Sequence, residues 1–373
     1  MLILAASLAL FVYGVITALL GTLMPTFKLS DAQNGTIALA LAIGLVIASV
    51  SVGPLIDRRG KKVALLIGLG MIALALFRLP DAAGKYHLLM AFFLVLGLGG
   101  GIVVTAANGL ASDVSETRRA SVLNILNLFF GLGGFATPFI MAHLLGGDPV
   151  RLCYLAAVLT VVALAVNAAA KMPAPVAAAG GATESGAVYS RPVLYLVALF
   201  LFLYVACEVG VWNWLNKYLV GRGLPADTAL NIVSFGFALG LIFGRLVISR
   251  VLINVSALNV TLASAVLMAA TTFLMLRSDD PTLAWIAVFC AGLAMAPVFP
   301  TALAIVGDVF RSRTNTAMGF AITCGWLGYA VSSPIIGFIS SRSSLGAALL
   351  ILPVFSVAMV VVNLAIRPLA RVR

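Results

Sequence analysis

The sequence predicts an all-α membrane protein, with twelve transmembrane helices arranged as two pseudo-symmetric six-helix bundles. Three observations predict it. Of the 373 residues, 62% are hydrophobic and 9% charged, against about 45–50% and about 25% in soluble domains. The apolar residues come in runs of about 20, the length a helix needs to cross hydrocarbon, and mean hydropathy is +1.16. The second half of the chain also repeats short motifs of the first.

Taken in order, with charges and Pro/Gly as punctuation, the spans fall near 2–24, 33–56, 62–80, 86–111, 120–145, 150–172, 192–219, 227–249, 255–276, 282–307, 315–340 and 345–366. The first run lacks a basic leader and a small-residue cleavage site, so it reads as a span and not a cleaved signal. Residues 173–191, Pro-Ala-Pro-Val and then Ala, Gly, Thr, Glu and Ser, have the composition of a flexible linker. The expected domains are therefore an N-terminal bundle 1–172, a cytoplasmic linker 173–191 and a C-terminal bundle 192–373.

The repeat sits at an offset of 195 residues. Gly97-Leu98 followed by Ala111-Ser112-Asp113-Val114 corresponds to Gly292-Leu293 followed by Val306-Gly307-Asp308-Val309; Arg118 matches Arg313 and Gly133 matches Gly328. Pro138 and Pro334 correspond after one inserted residue. The stretch Gly53-Pro54-Leu55-Ile56-Asp57-Arg58-Arg59-Gly60-Lys61-Lys62 is echoed by Gly244-Arg245-Leu246-Val247-Ile248-Ser249-Arg250, which has lost the acid.

Charge sets the orientation. The net +11 is spread singly or in short loops, an orientation signal and not a nucleic-acid surface. With the N-terminus inside, fourteen Lys and Arg fall in cytoplasmic segments and eight outside. Basic loops stay cytoplasmic, so both termini are expected inside. Cys153, Cys207, Cys290 and Cys324 lie in apolar segments without a CxxC, as small hydrophobes. An enzyme is not expected. His87 and His143 are the only histidines, and no metal-ligand cluster, Ser/His/Asp set or intramembrane carboxylate pair is present. No metal or cofactor is expected beyond a possible coupling proton.

The stretch from Gly53 to Lys62 reads G-x-L-x-D-R-x-G-K-K and resembles the loop between helices 2 and 3 of the major facilitator superfamily. That resemblance covers the whole chain and implies an inner-membrane transporter of the facilitator fold, working as a monomer by alternating access, with substrate near the midplane between two repeats. Gly97-Leu98-Gly99-Gly100-Gly101-Ile102-Val103-Val104-Thr105-Ala106-Ala107-Asn108 resembles helix 4 of the fucose–proton symporter and bacterial glucose permease family. Tyr204-Val205-Ala206-Cys207-Glu208-Val209-Gly210 resembles helix 7 of the same family. The expected substrate is a monosaccharide, a hexose or 6-deoxyhexose. Two acids of the resemblance are missing: Gly21 and Val104 stand where proton-titrating carboxylates are expected, so facilitative transport stands beside secondary active, proton-coupled transport.

Within this frame Glu208, a carboxylate well inside a span, is the expected substrate and proton-coupling residue, because an ionisable group in hydrocarbon is costly. Tyr204, Glu208 and Trp212 follow at i, i+4 and i+8, one helix face. An aromatic-plus-acid face suits a pyranose, whose C–H face stacks on a ring while its hydroxyls need paired donors and acceptors. Asn213 lies near the end of that span, and Asn108 and Asn127 supply amides that donate and accept. Tyr13, Thr17 and Trp326 complete the expected lining. Asp57 and Arg58, with Arg118 nearby, are expected to form a gate latch. The Gly97–Gly101 run serves close helix packing, and Pro297 and Pro300 should kink the tenth span. Two other functions fit the same composition: drug or metabolite efflux, and a non-transporting sensor.

Overall fold

The computed structural model describes residues 1–114, 119–172, 189–251, 255–278, 280–310 and 314–370. They are helical almost throughout, with no strand among them. Twelve helices are long and apolar enough to cross a membrane: α1 Leu2–Thr26, α2 Asp31–Gly53, α3 Arg58–Ala82, α4 Tyr86–Leu110, α5 Leu126–His143, α6 Pro149–Ala169, α7 Pro192–Gly221, α8 Ala226–Ile248, α9 Ala257–Arg277, α10 Thr282–Val309, α11 Ala317–Arg342 and α12 Leu345–Leu369. Helices suit a bilayer because they satisfy every backbone group internally. Side chains turned away from the core remain apolar: Leu74, Phe77, Val354 and Val361 are each more than half exposed and form the lateral surface that meets lipid. The expected linker lies mostly outside the described residues.

Glycine explains how the helices approach so closely. A Cβ built on Gly97 of α4 would lie 2.0 Å from the Leu41 carbonyl oxygen of α2, and one on Gly292 of α10 would lie 2.2 Å from that of Phe237 in α8. The second pair repeats the pattern: Gly133 of α5 meets the Phe11 carbonyl of α1 at 2.1 Å, and Gly328 of α11 meets the Phe202 carbonyl of α7 at 2.1 Å. Any side chain at these positions would push the helices apart. The motif repeat is thus a repeat of contacts, α2 on α4 and α1 on α5 recurring as α8 on α10 and α7 on α11.

Three departures from regular helix matter for the interior. Gly60, with φ 84 and ψ 163, kinks the chain at the start of α3, where it turns back from α2, a conformation an L side chain resists. In α10 the helix stops after Met295 and restarts at Val298, because Pro297 has no N–H for the ladder. In α8, Ile232–Ala238 is a π-helix, a turn that inserts an extra residue and is frequent at functional sites.

At the end carrying Lys28, helices of the first and second halves are locked together. Lys217 of α7 pairs with Asp31 of α2 at 2.5 Å, and the Ser340 hydroxyl of α11 donates to the same carboxylate. Asn216 donates to the carbonyls of Gly21 and Thr22 at 3.2 and 3.3 Å, and His143 meets the Asn231 side-chain oxygen at 2.6 Å. Cβ atoms built on Gly35 and Gly337 would lie 2.8 Å from the Ser333 and 2.4 Å from the Asp31 carbonyl oxygens.

Candidate functional site

Between the halves lies a cavity lined by α1 (Leu10, Tyr13, Thr17), α4 (Val104, Asn108), α5 (Asn127, Phe130), α7 (Val205, Glu208, Val209, Trp212), α8 (Arg245), α10 (Phe299) and α11 (Trp326, Tyr329). Of the residues expected to bind substrate, Glu208, Trp212, Asn108, Asn127, Tyr13, Thr17 and Trp326 come together here.

Small residues make the room. A Cβ on Gly100 would lie 3.3 Å from the Tyr13 ring, and one on Gly134 would lie 2.6 Å from the Trp212 ring. Tyr13 stacks on Phe130 with centroids 5.5 Å apart and meets Trp326 edge-on at 6.2 Å. Trp212 packs edge-on against Phe237 of the π-helix at 4.9 Å. These aromatic contacts fix three walls of the site.

The polar groups divide into those that are spent and those that are not. The Thr17 hydroxyl donates to the Tyr13 carbonyl at 2.9 Å, and the Asn108 amide to the Val104 carbonyl at 2.8 Å. By contrast, Glu208 Oε1, Trp212 Nε1, Trp326 Nε1, Arg245 Nε and the Tyr204 hydroxyl are buried and make no well-formed hydrogen bond, although the Tyr204 hydroxyl and the Trp212 indole N–H lie beside the Glu208 carboxylate. Leaving such a group unmade costs about 1–3 kcal/mol. Glu208 as a whole is only partly buried, because its side chain faces the cavity.

Two expected ligands lie behind this surface. Tyr204 is fully buried, one helical turn from Glu208, and absent from the lining. Asn213, also fully buried, donates to the Ser333 hydroxyl at 3.0 Å and to the Tyr329 hydroxyl at 3.3 Å. Its amide joins α7 to α11 and positions Tyr329. Arg58 is exposed; Arg118 and the Asp57 side chain lie outside the described residues.

The cavity also holds a residue the sequence reading passed over. Of 23 Lys and Arg, the orientation count places 22 in loops and termini. The remaining one is Arg245, only 5% exposed. Its guanidinium donates to the Asn127 carbonyl of α5 and lies 5.3 Å from the Phe130 ring centroid. The sequence repeat absorbed it as the echo of a loop motif. The remainder in the charge count was the available signal.

The missing acids acquire a structural account. Val104 lines the cavity, so the carboxylate there comes from α7 and not α4. A Cβ on Gly21 would lie 1.8 Å from the Trp212 carbonyl oxygen, which leaves no space for a carboxylate in this conformation.

The cavity measures about 50 Å³, room for a few waters and well below the roughly 300–1,000 Å³ of sites that enclose small ligands. The halves must separate before a ligand of sugar size can enter.

Comparison with known proteins agrees with this architecture. A family model described as Major Facilitator Superfamily matches residues 2–254 and 225–372. The chain is 26% identical over 338 residues to a glucose/galactose transporter of Brucella abortus, covering 84% of this chain and 81% of that protein. It is 22% identical over 381 residues to Bypass of stop codon protein 6 of Saccharomyces cerevisiae, covering 91% and 76%. Among solved structures, the Escherichia coli fucose:proton symporter superposes with TM-score 0.70 at 19% identity, covering 98% of both chains. A D-xylose–proton symporter superposes with TM-score 0.79 at 14% identity, covering 98% of this chain and 96% of that one.

Proposed function

The chain belongs to the Major Facilitator Superfamily, and from that premise we propose that it moves a monosaccharide, a hexose or 6-deoxyhexose, across a bacterial inner membrane by alternating access. The superfamily makes it a twelve-span transporter of small molecules, not an enzyme, working without a cofactor. The observation that carries the sugar reading is the convergence of buried polar groups on one cavity, the donors of Trp212 and Trp326, the Nε of Arg245 and the carboxylate of Glu208, none of which is closed into a well-formed hydrogen bond or ion pair. A ligand rich in hydroxyls, each able to donate and accept, satisfies such a set, and its C–H faces suit the rings of Tyr13, Phe130 and Trp326. The glucose/galactose transporter among its relatives supports the same class.

In this reading bundles 1–172 and 192–373, joined by the cytoplasmic linker 173–191, rock about the cavity with both termini inside. The Lys28 end is then the outer face, and Asp31, Lys217 and Ser340 form its closed gate. Asp57, Arg58 and Arg118 form the latch at the opposite end. Glu208 carries the coupling proton, surrounded by Tyr13, Tyr204, Tyr329 and Arg245. Export of apolar cations is the second reading, favoured by the many aromatic rings in the lining.

Thermal stability of the purified protein against hexoses, 6-deoxyhexoses, pentoses and lipophilic cations tests the proposal. A ligand at 100 times its dissociation constant stabilises by about 2.7 kcal/mol. A shift confined to one sugar class supports it; shifts with lipophilic cations alone overturn it in favour of efflux. For the coupling role, Glu208→Gln should abolish pH-driven accumulation while sparing exchange in proteoliposomes. Accumulation that survives the change removes Glu208 from that role.

A further inference from the structure

We propose that Arg245 is a specificity-determining residue of the cavity, one that holds a neutral, polyhydroxylated substrate opposite Glu208 and keeps organic cations out. The substrate half of this statement rests on the sugar-transport reading; the exclusion of cations does not.

Arg245 lies inside a span and is 5% exposed, and a guanidinium cannot shed its charge. Packing alone gives no reason for it, since a well-packed apolar side chain is commonly as stable as a buried charge. Its position is fixed from the other half of the molecule, by the Asn127 carbonyl and the Phe130 ring. Those contacts use one end of the fork and leave Nε buried and unpartnered. The neighbours of the Glu208 carboxylate on its own helix are the Tyr204 hydroxyl and the Trp212 indole, and among the described residues no ion pair joins it to Arg245. An acid and a base of opposite charge therefore line one narrow cavity without closing on each other.

That arrangement selects by charge. With Glu208 ionised the site is neutral overall, so a monovalent ion of either sign meets one repulsive partner at close range in a medium that screens weakly. A neutral polyol meets none: one hydroxyl donates to the carboxylate while a neighbouring hydroxyl oxygen accepts from the guanidinium. A lone carboxylate in an aromatic cavity would do the reverse and attract lipophilic cations through charge and ring faces together. Arg245 is what separates these two sites.

The test uses thermal stability and equilibrium binding of the full chain, with the sugar panel and with tetraphenylphosphonium as the cation. The wild type should be stabilised by a sugar and unaffected by tetraphenylphosphonium. Arg245→Gln should lose the sugar shift and bind tetraphenylphosphonium at least about tenfold more tightly, and adding Glu208→Gln should remove that gained binding. Arg245→Lys keeps the charge but loses the fork, so it should still exclude the cation while binding sugar about tenfold more weakly. It also serves as the readout if Arg245→Gln does not fold. A wild type that already binds tetraphenylphosphonium overturns the proposal. So does a folded Arg245→Gln that retains sugar and gains no cation, which would leave Arg245 as a helix clamp only. If the wild type binds no sugar yet Arg245→Gln gains the cation, the sugar reading fails and charge selection stands.

Discussion

Adjacent side chains on α7 show how one helix serves both the cavity and the frame behind it. Trp212 points its ring into the lining with its indole N–H beside the Glu208 carboxylate, while Asn213 turns to Ser333 and Tyr329. Their substitutions should separate. Trp212→Phe keeps an aromatic ring but removes the indole donor and leaves a void in a fully buried site, so affinity for the proposed sugar should fall by about tenfold and the melting temperature should also drop. Asn213→Leu leaves the buried Tyr329 hydroxyl without its amide partner and Ser333 with the Trp214 indole as donor, and should cost about 1–3 kcal/mol in stability, read as a lower melting temperature. Most of the lining was legible in the sequence, because Tyr13, Thr17, Asn108, Asn127, Glu208, Trp212 and Trp326 interrupt apolar helices where polar or amphipathic groups need a reason. Asn213 carried the same signal, and only the packing of α7 on α11 decides that its partners are protein. Arg245 was not legible because a local motif match supplied a competing explanation.

Helix pairs depend on glycines that are not interchangeable. Gly97→Ala or Gly292→Ala would drive a methyl group into a backbone carbonyl that belongs to a neighbouring span. Neither partner can yield as a side chain would, so each should destabilise by 2 kcal/mol or more, roughly the upper range for overpacking, measured by thermal denaturation in detergent. Gly70, which has nothing within 4 Å of a built Cβ, provides the contrast: Gly70→Ala should be neutral or stabilise by up to about 1 kcal/mol through helix propensity. Span number and the tenth-span break were readable from hydropathy and proline. The π-helix in α8 was not, since Ile232–Ala238 carries no proline and its Ser234 and Gly236 are residues common in ordinary membrane helices.

For the molecule as a whole, the Lys28 end is closed in this conformation by contacts between the two halves. Asp31 and Lys217 are only about a fifth to a quarter exposed, so their pairing outweighs a surface ion pair, which contributes about 0–1 kcal/mol. Lys217→Ala or Asp31→Asn should therefore shift the population toward opening at that end by several-fold. The check is faster alkylation of Thr17→Cys by a membrane-impermeant thiol reagent applied from that side, with Cys290 and Cys324 replaced. The double exchange Asp31→Lys with Lys217→Asp should restore slow labelling. This lock escaped the sequence reading because each partner looks like an ordinary charge at a membrane edge, and only the tertiary fold joins positions so far apart in the chain. The extra residue of the π-turn has a consequence of another kind. One residue is about 100° of helix, so a homologue lacking it would turn its counterpart of Arg245 away from the cavity. A single-position gap in the eighth span would then mark, in sequence alone, a change of cargo charge between lineages of this carrier.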